Sequence, residues 1–94
     1  MPQIHTVGRT ATTITHNASD TIVTYHSTQV VRFNKKRIIL NTGNWFTATT
    51  KNRMNQTASQ FCLPYVVFQR KGQWFVEWQG NRIPFTSSII HLIY

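Results

Sequence analysis

The sequence predicts a small α+β domain, with five to seven short strands in antiparallel sheets and one helix near residues 48–60. Three observations predict it. Short β-branched and aromatic runs fill 22–42 and 65–94, separated by turn residues. Between them, residues 47–61 abandon the two-residue alternation and place small and apolar residues at helical spacing. A chain of 94 residues also has material for one core, not two.

The elements follow in chain order. Residues 1–20 read as a weakly ordered arm or an edge strand, because Thr10–His16 has β-propensity but only one large apolar residue, Ile14. Residues 21–94 form the single domain. Asn17–Asp20 is a turn. Ile22–Tyr25, Gln29–Phe33 and Arg37–Thr42 are strands, with Asn34–Lys36 interrupting the last two and Gly43-Asn44 closing the run. Thr47 or Thr49 can cap the helix. Thr50, Met54, Thr57 or Ala58, and Phe61 share one of its faces, and Pro64 ends it. Tyr65–Arg70 and Gln73–Trp78 flank Lys71-Gly72, a two-residue hairpin loop that sets Phe68 opposite Phe75, Val67 opposite Val76 and Tyr65 opposite Trp78. After a turn at Gln79–Asn81 come a short edge strand limited by Pro84 and a last strand over 89–94. The expected order is hairpin, helix, meander. The expected core is Val23, Tyr25, Val31, Phe33, Ile38, Leu40, Met54, Phe61, Val67, Val76 and Phe85.

Charge is the strongest functional signal. Ten Lys and Arg face two acids, Asp20 and Glu77, for a formal net charge of +8. Such an excess repels itself and is relieved by an anionic partner. Nucleic acid is the expected one, DNA ahead of RNA. No apolar run is long enough for a spanning helix, no basic amphipathic helix suggests a membrane surface, and the first residues carry no signal pattern, so a reducing, cytoplasm-like compartment without membrane is expected. One cysteine, Cys62, cannot form an internal disulfide, and between Phe61 and Leu63 it reads as a buried, inert thiol.

Catalysis is a weak reading. The two carboxylates are far apart in sequence, no glycine-rich phosphate loop is present, and no Cys/His spacing fits zinc, so neither metal nor cofactor is expected. What remains is a metal-free ribonuclease using His26 as acid–base group, set against a hydrogen-bonded structural histidine. The expectation is a binding protein, not an enzyme.

The candidate contacts lie in three places. The hairpin tip carries Arg32, Lys35, Lys36 and Arg37. The helix start carries Lys51 and Arg53 without any acid to offset the positive helix end, a placement that suits a phosphate. Asn52, Asn55 and Gln56 follow on the helix, as base-reading amides or simply as a solvated face. The third place is the 65–78 hairpin, where Phe68 and Phe75 with Arg70, Lys71 and Gln73 form either a base-stacking platform or part of the core. Tip and helix start are expected to act as one phosphate-binding surface. The competing classes are a protein that binds and inhibits another protein, and an assembly component. Exposed edge strands also allow pairing in a homodimer.

Tyr25–Thr28, Leu40–Trp45, Thr47–Lys51 with Arg53–Asn55, then Gln69–Val76 and Ile83–Phe85 resemble a family of small proteins encoded by tailed bacteriophages. The resemblance covers roughly residues 22–85, with Asn44 and Phe46 departing from the Gly and Arg of the pattern. It implies a viral origin and a host-cytoplasm setting, so that the competing classes become binding and inhibition of a host protein or service as a virion or assembly component, and it adds no chemistry.

Overall fold

Four two-residue loops set the hairpins. Ala18, His26, Lys71 with Gly72, and Gln79 with Gly80 all adopt positive φ, the local twist that lets two antiparallel strands close tightly. The structure, a computed structural model, describes residues 12–94. Residues 1–11, and with them the first part of the expected arm, lie outside the described residues. The elements are β1 (Thr12–Asn17), β2 (Asp20–Tyr25), β3 (Thr28–Phe33), β4 (Arg37–Asn41), α1 (Ala48–Phe61), β5 (Tyr65–Arg70), β6 (Gln73–Trp78), β7 (Asn81–Pro84) and β8 (Ile89–Ile93). The α+β class holds, with eight strands in place of the five to seven expected. The additional one is the threonine-rich segment, which pairs with β2 as an edge strand, Ile14 opposite Val23.

Two antiparallel sheets result, one of five strands in the order β1-β2-β3-β4-β8 and one of three, β5-β6-β7. The second sheet has the expected register, with Phe68 opposite Phe75 and Tyr65 opposite Trp78. The expected order of hairpin, helix and meander is corrected at its end. β8 leaves the second sheet and closes the first, where Leu92 lies opposite Ile38 at 1 % exposure. The physical reason is burial: β4 would otherwise leave its edge and the Ile38–Leu40 row open.

The helix lies between the sheets, against β5 on one side and β2 and β3 on the other. Thr47 caps it, its Oγ1 accepting from the Thr50 N–H at 3.2 Å. Thr50, Met54, Thr57 and Ala58 are its buried residues. Val23, Val31, Ile38, Leu40, Met54, Val67, Val76 and Phe85 are core as expected, while Tyr25, Phe33 and Phe61 are only partly buried against it. Val30, Tyr65, Trp74 and Trp78 join them. Val30 is buried beside Val31 because the β2–β3 register slips between Val23 and Thr24, a bulge that turns two successive side chains inward. Cys62 is not buried. It caps the helix in the left-handed region, φ 56°, and that turn carries its thiol into solvent.

Candidate nucleic-acid interface

The hairpin tip is built on Asn34. Its Oδ1 accepts from the N–H of Lys36 at 2.7 Å and of Arg37 at 3.1 Å, while its Nδ2 donates to Asp20 at 2.8 Å. Arg32 closes the network with a 2.7 Å ion pair to Asp20. The Asn34 amide and then the Arg32 guanidinium hold the Asp20 carboxyl below its ordinary value. Arg32 is therefore neutralised in place, and Lys35, Lys36 and Arg37 stand exposed around a hollow of about 740 Å³ that reaches Ser19.

The helix start lies elsewhere. Phe61, in the last turn of α1, meets Phe33 beside the hairpin tip, ring centroids 5.1 Å apart. The helix runs 14 residues from there, about 21 Å, so its first turn is at the opposite end of the first sheet. The expected single surface of tip and helix start is thus corrected: the length of β4 and of the helix separates them.

The two cations of the helix start also part from each other. Arg53 turns toward β1 and β2, where its Nε donates to Thr12 Oγ1 at 3.0 Å, its Nη1 to Gln56 at 3.2 Å, and its guanidinium lies 5.4 Å from the Tyr25 ring centre. Asn55, on the other flank, donates to the Val67 carbonyl and accepts from the Val67 N–H, both at 2.8 Å. Arg53 and Asn55 thus have their polar groups engaged within the protein, and Asn52 remains exposed. Lys51 lies one helical turn before Asn55 on the β5 flank. Only Cys62–Pro64 separate α1 from β5, and β5 packs on the helix, so it runs back along it from the helix C-terminus, with Asn55 meeting Val67. One turn of helix rises about as far as two strand residues. Lys51 is therefore level with Gln69, beside the β5–β6 turn that carries exposed Arg70 and Lys71.

The loop before the helix completes this end. Gly43 (φ +61°) and Asn44 (φ +69°) fold it back, with the Trp45 N–H donating to the Thr42 carbonyl at 2.9 Å. Thr42 is buried and anchored through its own N–H to the Ser88 carbonyl at 2.7 Å. Two neighbouring aromatics then project in different directions. Trp45, 66 % exposed, overhangs a cleft of about 510 Å³ whose walls include Tyr25, His26, Thr28 and the helix-cap residues Thr47 and Thr50. Phe46, 41 % exposed, meets Trp74 edge-on at 5.2 Å and borders a hollow of about 330 Å³ with Gln69, Gly72 and Gln73. The residue pattern gave one cue to this pair: two aromatics in a loop after Gly43-Asn44, outside any alternating strand.

His26 is exposed in its hairpin loop, its ring 4.4 Å from that of Tyr25. The outer face of the second sheet carries Phe68 and Phe75, stacked at 5.6 Å and 22°. Sequence reasoning passed over Arg82, whose guanidinium lies 5.3 Å and 5.9 Å from those two ring centres. Trp74 and Trp78 take the other side of this sheet, into the core. Among the described residues no cluster of His, Cys, Asp and Glu fits a metal ion, and no helix is long and apolar enough to cross a membrane.

No curated protein and no solved structure matches the chain. The family model of the Kyanoviridae Gp96 protein matches residues 3–91, nearly the whole length, in agreement with the phage resemblance of the central motifs. The chain belongs to the Kyanoviridae Gp96 protein family, a family of small phage proteins.

Proposed function

We propose that this phage protein binds single-stranded nucleic acid, without catalysis, in the infected host's cytoplasm. The contact surface is the helix-start end, where Trp45 stacks a base and Lys51, Arg70 and Lys71 meet phosphates. The observation that carries this reading is Trp45. It is held at 66 % exposure by a tightly hydrogen-bonded loop, at the same end as cations that have no ion pair among the described residues. A large aromatic left in water forgoes burial, and at the same end of the molecule as uncompensated positive charge it supplies one of the two parts of a single-strand site, a stacking surface to go with a basic track. Asn52 and Gln73 supply neutral donors and acceptors at its borders. The Phe68–Phe75 pair under Arg82 extends the surface past Arg70, with the guanidinium as the plane a further base would meet.

The test is anisotropy of labelled oligothymidylate and oligouridylate at several salt concentrations. Replacing Lys51, Arg70 and Lys71 together by Ala should lower the log–log salt slope by about 2, at about 0.7 per phosphate neutralised on a single strand. The corresponding change at Lys35, Lys36 and Arg37 should cost less. Equal binding by the wild type and the Lys51/Arg70/Lys71 variant, both folded, would remove nucleic acid from this surface and leave a host protein as the leading partner.

A further inference from the structure

The free edge of the five-stranded sheet is β8, and its sequence is self-complementary. It reads Ile89-Ile90-His91-Leu92-Ile93, the same apolar pattern in both directions about His91. The backbone shares this symmetry. Thr42 N–H donates to the Ser88 carbonyl and Tyr94 N–H to the Lys36 carbonyl, so even-numbered residues turn their peptide groups toward β4. By alternation the N–H and C=O groups of Ile89, His91 and Ile93 point away from the sheet. Among the described residues nothing pairs with them beyond the Ser87 hydroxyl, which donates to the Ile89 carbonyl at 2.8 Å and leaves its second lone pair.

Edge strands are ordinarily protected by charge, proline or a bulge. β8 has none of these, and Ile89 and Ile93 are 43 % and 59 % exposed. The other edge, β1, shows Thr13, Thr15, His16 and Asn17 to solvent. On a chain of net charge +8, residues 89–94 carry no formal charge, so this is the edge along which a second copy meets the least repulsion.

We infer that two copies join edge to edge through β8, antiparallel about a two-fold axis at His91, into one ten-stranded sheet. The hydrogen-bonded pairs are His91 with His91 and Ile89 with Ile93 of the second copy. Both isoleucine pairs then cover each other on the outer face, and Ile90 meets Leu92 on the core side. Such an isologous contact closes on itself and, among the described residues, leaves β1 as the edge at both ends of the joined sheet. It does not depend on nucleic-acid binding.

Size-exclusion chromatography with light scattering on the full chain tests it. The wild type should give twice the chain mass of 11.0 kDa. The double variant Ile89→Lys/Ile93→Lys, which sets like charges opposite each other, should be a monomer. Ile89→Lys/Ile93→Glu, which sets opposite charges in register, should remain a dimer. Both changes are at exposed positions, and circular dichroism checks that the fold persists. A wild type that is monomeric at every soluble concentration overturns the inference. So does an equal mass for the two double variants, whether both are monomers or both are dimers.

Discussion

The side-chain amide of Asn55 and the backbone of Val67 exchange two hydrogen bonds, both 2.8 Å long. A helix residue thereby imitates the next strand of the second sheet. It satisfies the outward N–H and C=O of β5 and fixes the helix along that edge, which in turn sets Lys51 beside the β5–β6 turn.

Asn55→Ala leaves both Val67 groups without this partner. The expected loss is about 1–3 kcal/mol in denaturant unfolding. Asn55→Asp, which accepts but does not donate, should fall between. A loss no larger than that of an exposed Ser59→Ala change would show that the clamp is incidental.

The Asp20 network makes stability depend on acid. Its carboxyl is held below the ordinary 3.8, first by the Asn34 amide and next by Arg32. Because the folded value is the lower one, this contribution is complete above 3.8 and disappears as pH falls through the lowered value. Wild type should therefore exceed Asp20→Asn in urea midpoint at neutral pH, with the gap narrowing as acid protonates the carboxyl. A gap that is constant or widens on acidification contradicts this.

Gly43 combines two constraints. It has φ +61°, and a Cβ there would lie 2.8 Å from Thr28 Oγ1. Gly43→Ala should cost about 1–3 kcal/mol from the backbone conformation alone, with the clash in addition. Adding Thr28→Ala should recover the steric part only. Full recovery in the double variant would mean that the backbone conformation costs nothing.

Much of this fold is legible in the residues because local rules and packing agree. Lys71-Gly72 fixes the β5–β6 register, and alternation then assigns Val67 and Val76 to the core. Legibility ends where a tertiary choice decides. One inserted residue, Val30, reverses the facing of its neighbours, and no residue type announces it. β8 is plainly a strand, but its composition does not say which open edge it will complete. Of the candidate contacts, the cationic turns are visible from composition. What each amide or guanidinium does is not: Asn55 and Arg53 look like surface groups until Val67, Thr12 and Tyr25 are brought to them. Trp45 escapes for the opposite reason, because an aromatic side chain is expected inside.

The central claim rests on Trp45, and tryptophan emission reports on it directly. Trp74 and Trp78 are each 5 % exposed, whereas Trp45 is 66 % exposed, so solvent-exposed emission comes from Trp45. Titration with oligothymidylate at low salt should quench that component in step with binding. Trp45→Ala should abolish the quench and weaken binding by about 1–3 kcal/mol, the contribution of one stacked base. Oligonucleotide that binds without changing the exposed emission, or that binds Trp45→Ala as tightly as wild type, would contradict the account.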